Sequence, residues 1–152
     1  MQSAALDFIV DGSLSFQSPL PLELLTLWRG KCREGLLPRR SDFDWTELSP
    51  HFGQLCVVEV MPSREDLRYR LIGSRIVEVV GRDMTGRLVS ETLPPAALAV
   101  YFELMDSPRP LRTHGRLHWR GKNFIRHETL LLPLAEDGRT VDQFLLEMAF
   151  LS

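Results

Sequence analysis

The chain has 152 residues, the size of one domain, of which 44% are hydrophobic and 25% charged; that composition excludes disordered and fibrous classes. Eighteen Lys and Arg against twenty Asp and Glu leave a net charge of −2, which counts against a generic nucleic-acid coat. Cys32 and Cys56 stand in no CxxC or Cys/His spacing, so neither zinc nor a disulfide framework is signalled, and both read as small buried hydrophobes.

Residues 1–19 show no hydrophobic period and are expected to form a flexible arm. No basic residue precedes their apolar run, which Asp7 and Asp11 interrupt, so no secretory signal is read and the mature chain is expected to begin near Met1. No stretch approaches 18 apolar residues; the expectation is a cytoplasmic protein without a membrane span. From Leu20, the residues Leu24, Leu27, Trp28 and Cys32 recur at helical spacing, with Pro21 in the first turn and Gly35 past the end. This predicts an amphipathic helix over 20–35 whose stripe needs cover, either from the open sheet face of its own chain or from the same helix of a second chain. Asp44 and Glu47 then stand at capping-box spacing in a polar linker.

A domain over 36–152 follows. Val-rich 54–61 and alternating 67–72 predict two antiparallel strands. Ser74 is placed to cap a short helix carrying Ile76, Val77 and Val80, which Gly81 ends, and Asp83, Thr85 and Gly86 form a turn. Ser90 is placed to cap another brief helix. Pro94-Pro95 opens a longer one with a Leu98, Phe102 and Met105 stripe, stopping at Ser107 before Pro108. Strands are predicted at 111–120, 123–134 and 141–150. Strands at both ends with helices between give an α+β class, one antiparallel sheet with its helices on one face.

Tyr69-Arg70-Leu71-Ile72-Gly73, Gly81-Arg82-Asp83-Met84-Thr85-Gly86-Arg87, Glu128-Thr129-Leu130-Leu131-Leu132-Pro133-Leu134 and Asp137-Gly138, with the opening helix, resemble the small stand-alone PAS-like proteins of proteobacteria over about residues 20–150. The resemblance implies a five-stranded antiparallel sheet, short helices over one face, a small-molecule cavity and an N-terminal helix that mediates homodimerisation. It implies a sensor acting on a separate, unidentified downstream protein, and it names no ligand.

Between Asp106 and Glu128 lie Arg109, Arg112, Arg116, Arg120, Lys122 and Arg126 and no acidic residue, so positive charge is concentrated on one hairpin. With Gly121-Lys122 as a two-residue loop, Leu117 pairs with Arg126 and Gly115 with Glu128. One face is then apolar, and Arg126, Glu128, Gly115 and Thr113 form a polar spot in a chamber walled by Ile76, Val80, Phe102 and Met105. The Arg126–Glu128 pair there is either a structural ion pair or one that orients a ligand. The other face is a basic ribbon of Arg112, His114, Arg116, His118 and His127, with Trp119 near its tip. An adaptor for nucleic acid or an acidic protein, with no internal ligand, is the alternative this ribbon offers. Arg70 is expected to brace Asp83, Arg82-Asp83 to follow the same logic, and Gly73, Gly81 and Gly86 to serve turns; their spacing fits neither a dinucleotide fingerprint nor a P-loop.

The cofactor stays unknown. No His lies in Ala96–Asp106 and no Asn-Cys-Arg-Phe motif occurs, which counts against haem and flavin in a PAS-like domain. Without GxSxG or a site-defining carboxylate pair, the reading is of a sensor and not an enzyme.

Overall fold

The computed structural model describes residues 5, 6, 8–119 and 123–151. The turn expected at Gly121-Lys122, and the charges of Arg120 and Lys122, lie outside the described residues.

Two short strands, β1 (Ala5–Leu6) and β2 (Ile9–Asp11), precede helix α1 (Pro19–Lys31). A short helix α2 (Trp45–Leu48) leads through a 3-10 turn to strands β3 (Leu55–Val60) and β4 (Leu67–Ile72). Helices α3 (Ser74–Val80), α4 (Val89–Thr92) and α5 (Pro95–Asp106) form the clasp, and β5 (Leu111–Trp119), β6 (Asn123–Leu134) and β7 (Gln143–Leu151) complete the chain. The sheet is antiparallel in the order β5-β6-β7-β3-β4, and β1 and β2 both pair with the outer edge of β5. The α+β fold and the five expected strands are present, with two arm strands added. An arm read as patternless therefore carries regular structure: two and three residues are too few to show a period, and their pairing with β5 is non-local.

Strict alternation along the central strands builds a core on each side of the sheet. Phe144, Leu146 and Leu131 pack with the clasp residues Ile76, Tyr101 and Leu104, whereas Leu130, Leu132, Leu134 and Leu145 pack with Leu24, Leu25 and Trp28 of α1. Leu24 is fully buried, and Trp28 Nε1 donates to the Pro133 carbonyl at 2.9 Å. The apolar stripe of α1 is thus covered by its own sheet; the homodimer expected through this helix loses the exposed stripe it rested on.

Local signals account for most element ends. Asp44 accepts from the Glu47 amide at 2.8 Å while Glu47 accepts from the Asp44 amide at 3.0 Å, the expected capping box. Ser74 and Ser90 are not caps: Gly73 precedes α3 and Leu88 precedes α4. Gly81 and Gly86 have φ of +92° and +87°, as turn glycines should. Gly73 differs, with φ at −65°. Its constraint is space, because a Cβ there would collide with the Phe52 and Gly53 carbonyl oxygens and sit 2.6 Å from the Gly53 carbonyl carbon. Gly73→Ala is therefore expected to cost about 1–3 kcal/mol by overpacking, read as a lower urea midpoint with an unchanged slope.

Candidate functional site

Between the sheet and the clasp lies a cavity of about 140 Å³. Its floor is the sheet: Thr113 and Leu117 from β5, His127, Thr129 and Leu131 from β6, Leu146 and Met148 from β7, Cys56 from β3, and Tyr69 from β4. The roof is Ile76 and Val80 of α3, Thr92 and Leu93, and Ala97, Val100 and Tyr101 of α5; Arg82 and Met84 border it between α3 and α4, and Phe8, between β1 and β2, closes one side. Most of the lining is apolar. The Tyr69 hydroxyl and Thr92 Oγ1 are 3.0 Å apart. Burial pushes the Tyr69 phenol and the Cys56 thiol each up to about 12, and the Tyr101 phenol up as well, so all three are neutral near pH 7.

Of the expected ligand residues, Thr113, Ile76 and Val80 line this cavity. Phe102 and Met105 are partly buried at the margin of the clasp core instead. The residues of α5 that turn inward are Ala97, Tyr101 and Leu104, one position out of phase with the Leu98, Phe102, Met105 stripe. Ala97, Leu98, Val100, Tyr101 and Phe102 are apolar all round the helix, so periodicity cannot fix its phase.

The hairpin register corrects the remaining residues. Gly115 pairs with His127, Thr113 with Thr129 and Leu117 with Ile125, one residue displaced from the expected pairing. Among the described residues the last paired positions are Trp119 and Asn123, which fit the register one residue displaced, and a one-residue slip exchanges the faces of β6. His127 therefore joins the cavity, with 2% of its surface exposed, while Arg126 is exposed and Glu128 is buried on the opposite face of the sheet. Gly115 stands on the cavity side but outside the lining. The expected Arg126–Glu128 pair does not form.

Glu128 binds the arm. Its carboxylate accepts from the Gln17 amide at 3.0 and 3.1 Å, from the Ser18 amide at 2.6 Å, and from Arg112 Nε and Nη2 at 3.2 and 3.0 Å. Arg112 Nη1 donates to Asp11 Oδ2 at 2.7 Å, and its guanidinium lies 5.5 Å over the Phe16 ring. Burial raises the Glu128 carboxyl, but these donors outweigh it and hold it below its ordinary value. Glu128 thus holds the start of α1 at Gln17 and Ser18, and through Arg112 the end of β2 at Asp11.

The same register takes His127 out of the basic ribbon, while Arg112, His114 and Arg116 keep one face of β5 and the exposed Arg126 joins it opposite Arg116. Arg112 is consumed by Glu128 and Asp11, and His127 faces the cavity. His114 is half-buried where β2 pairs with β5, and Arg116 is exposed. The His118 and Trp119 side chains lie outside the described ones. Arg70 is exposed on β4 and does not brace Asp83, whose Oδ1 accepts instead from the amide and hydroxyl of Thr85. Arg82 belongs to the cavity border. Unforeseen from sequence, Glu147 is fully buried on the α1 side of β7, its oxygens 2.8 and 3.0 Å from His51 Nδ1 and 3.0 Å from Gln54 Nε2. A lone Glu in an apolar strand is the signal that a buried partner exists.

A family model described as PAS domain matches residues 17–148. Solved structures share the fold at low identity. A light-oxygen-voltage domain studied with a flavin analogue has a TM-score of 0.51 at 12% identity, covering 70% of this chain and 83% of that one. The LOV protein of Rhodobacter sphaeroides has a TM-score of 0.50 at 14% identity, covering 86% and 68%. An RNA-binding light-oxygen-voltage receptor has a TM-score of 0.51 at 12% identity; the match covers 97% of this chain but 39% of that receptor. No curated protein matches the chain.

Proposed function

Since the chain belongs to the PAS domain family, we propose that it is a sensory module, not an enzyme, which takes a small molecule into the cavity between sheet and clasp and reports it through contact with another protein. The cavity carries this reading. An engineered apolar cavity of roughly 150 Å³ takes up benzene, so about 140 Å³ has the capacity of a single ring. A flavin analogue is named for one structural neighbour; what counts against a flavin here is the chain's lack of an Asn-Cys-Arg-Phe motif. Cys56 also reaches the cavity from the sheet as a protonated thiol, not the reactive form.

Trp45 and Phe52, with Leu71 of β4, are 63%, 40% and 37% exposed around a groove of about 280 Å³ that Arg40 also lines, a grouping of exposed apolar residues of the kind that marks interaction surfaces. Among the described residues no helix is long and apolar enough to cross a membrane, and we propose a cytoplasmic setting on the free state of Cys32 and Cys56. The adaptor alternative loses Arg112 and His127, which face opposite ways into the protein, and keeps the exposed pair Arg116 and Arg126.

Native mass spectrometry of the chain purified from its source tests the cavity reading. A small molecule should be retained by the wild type and lost from Ala97→Met, whose flexible side chain fills the cavity from α5, with the unfolding midpoint preserved. Retention by Ala97→Met would place the ligand elsewhere.

A further inference from the structure

Resting on the cavity reading above, we propose that the ligand class is an aryl carboxylate: one aromatic ring inside the cavity, its carboxylate at the border on Arg82. The size of the ring follows from the volume of about 140 Å³. The charge follows from the lining. Among the described lining residues there is no Asp or Glu, and the buried Cys56, Tyr69 and Tyr101 are neutral near pH 7. His127 adds no negative charge in either of its states. Arg82 is the permanent charge of the set.

Its local setting leaves that charge available. Arg82 follows Gly81, the left-handed residue that ends α3, and is exposed with no ion pair or hydrogen bond among the described residues. The adjacent Asp83 is turned to Thr85 and does not neutralise it. Its field reaches into the cavity wall: against the dominant effect of burial, the Thr92 hydrogen bond and the Arg82 charge both pull the Tyr69 phenol down. An ammonium ligand would meet a cation with no counter-charge, and a neutral ring would leave the guanidinium unused. A carboxylate at the border keeps part of its hydration and gains a charge-assisted, bidentate partner, so desolvation costs it little.

Calorimetric titration of the full chain with benzoate, benzyl alcohol and benzylamine, at pH 7 and low salt, separates these classes at nearly constant ring size. Benzoate should bind about 3- to 5-fold tighter than benzyl alcohol, the worth of a well-formed ion pair at an exposed guanidinium, and benzylamine weakest. In Arg82→Gln the ratio of benzoate to benzyl alcohol affinity should fall to near one. Benzyl alcohol binding as well as benzoate, or the preference surviving in Arg82→Gln, overturns the aryl carboxylate and leaves the cavity reading standing. If none of the three binds, the cavity reading fails and the proposal falls with it.

Discussion

Glu128→Ala is expected to lower stability by about 3–5 kcal/mol, the usual result of stripping one partner from a buried ion pair. Arg112 is 5% exposed and Glu128 fully buried, so the change leaves a guanidinium without its main counter-charge and orphans the Gln17 and Ser18 amides together. Against the 5–15 kcal/mol that holds a typical domain, this is a large loss. It should also be local, because Glu128 ties Gln17 and Ser18 to the sheet and Arg112 ties Asp11. Hydrogen exchange in residues 9–18 should accelerate ahead of the central strands, and urea should unfold the variant at a lower midpoint. The carboxyl is held below its ordinary value of 4.5, so its contribution is complete above about pH 4.5 and disappears as pH falls through the lower folded value. Glu128→Gln should flatten that acid limb. A variant with wild-type stability and wild-type exchange in the arm would show that the carboxylate does not anchor it.

Trp28→Ala should be comparably damaging, at about 3–5 kcal/mol for a large aromatic removed from a closed core. The indole is 6% exposed against Leu132, Leu134 and Leu145, and losing it orphans the Pro133 carbonyl. Trp28→Phe isolates the second effect: most of the area is kept, and the unsatisfied carbonyl alone should cost about 1–3 kcal/mol. Removal of residues 1–35 would bare the whole α1 side of the sheet and is expected to give an aggregate. A truncated chain that stays folded and soluble, with the same mass per particle by light scattering, would contradict the intramolecular role of α1.

Much of this architecture is legible locally. The Asp44–Glu47 capping box, the glycines ending α3 and the next turn, and the five main strands each rest on residues within a few positions of one another, and they stand as read. What the sequence pattern does not determine is phase. In β6 the residues Arg126, His127, Glu128 and Thr129 are all polar, so alternation does not say which of them faces the clasp, and a one-residue shift of the β5–β6 register turned Glu128 from cavity to latch. The apolar circumference of α5 hides its phase in the same way. Long-range pairings are illegible for a different reason: Asp11 with Arg112 and Glu147 with His51 join residues some hundred positions apart, and only an isolated charge amid apolar neighbours hints at either. Arg82, expected with Asp83 to brace the chain, belongs to the candidate site only because the fold places it at the rim of the cavity.

The cavity is tested most directly by titrating benzene into methyl-labelled protein, wild type and Ala97→Met, and following the resonances of each core separately. Saturable shifts should appear at Ile76, Val80, Leu131 and Leu146, which line the cavity, while Leu48, Leu132 and Leu145, packed on the α1 side, stay in place; Ala97→Met should abolish the response. Shifts of equal size in both cores, shifts that survive in Ala97→Met, or no saturable shift at all would contradict a ligand site between the sheet and the clasp.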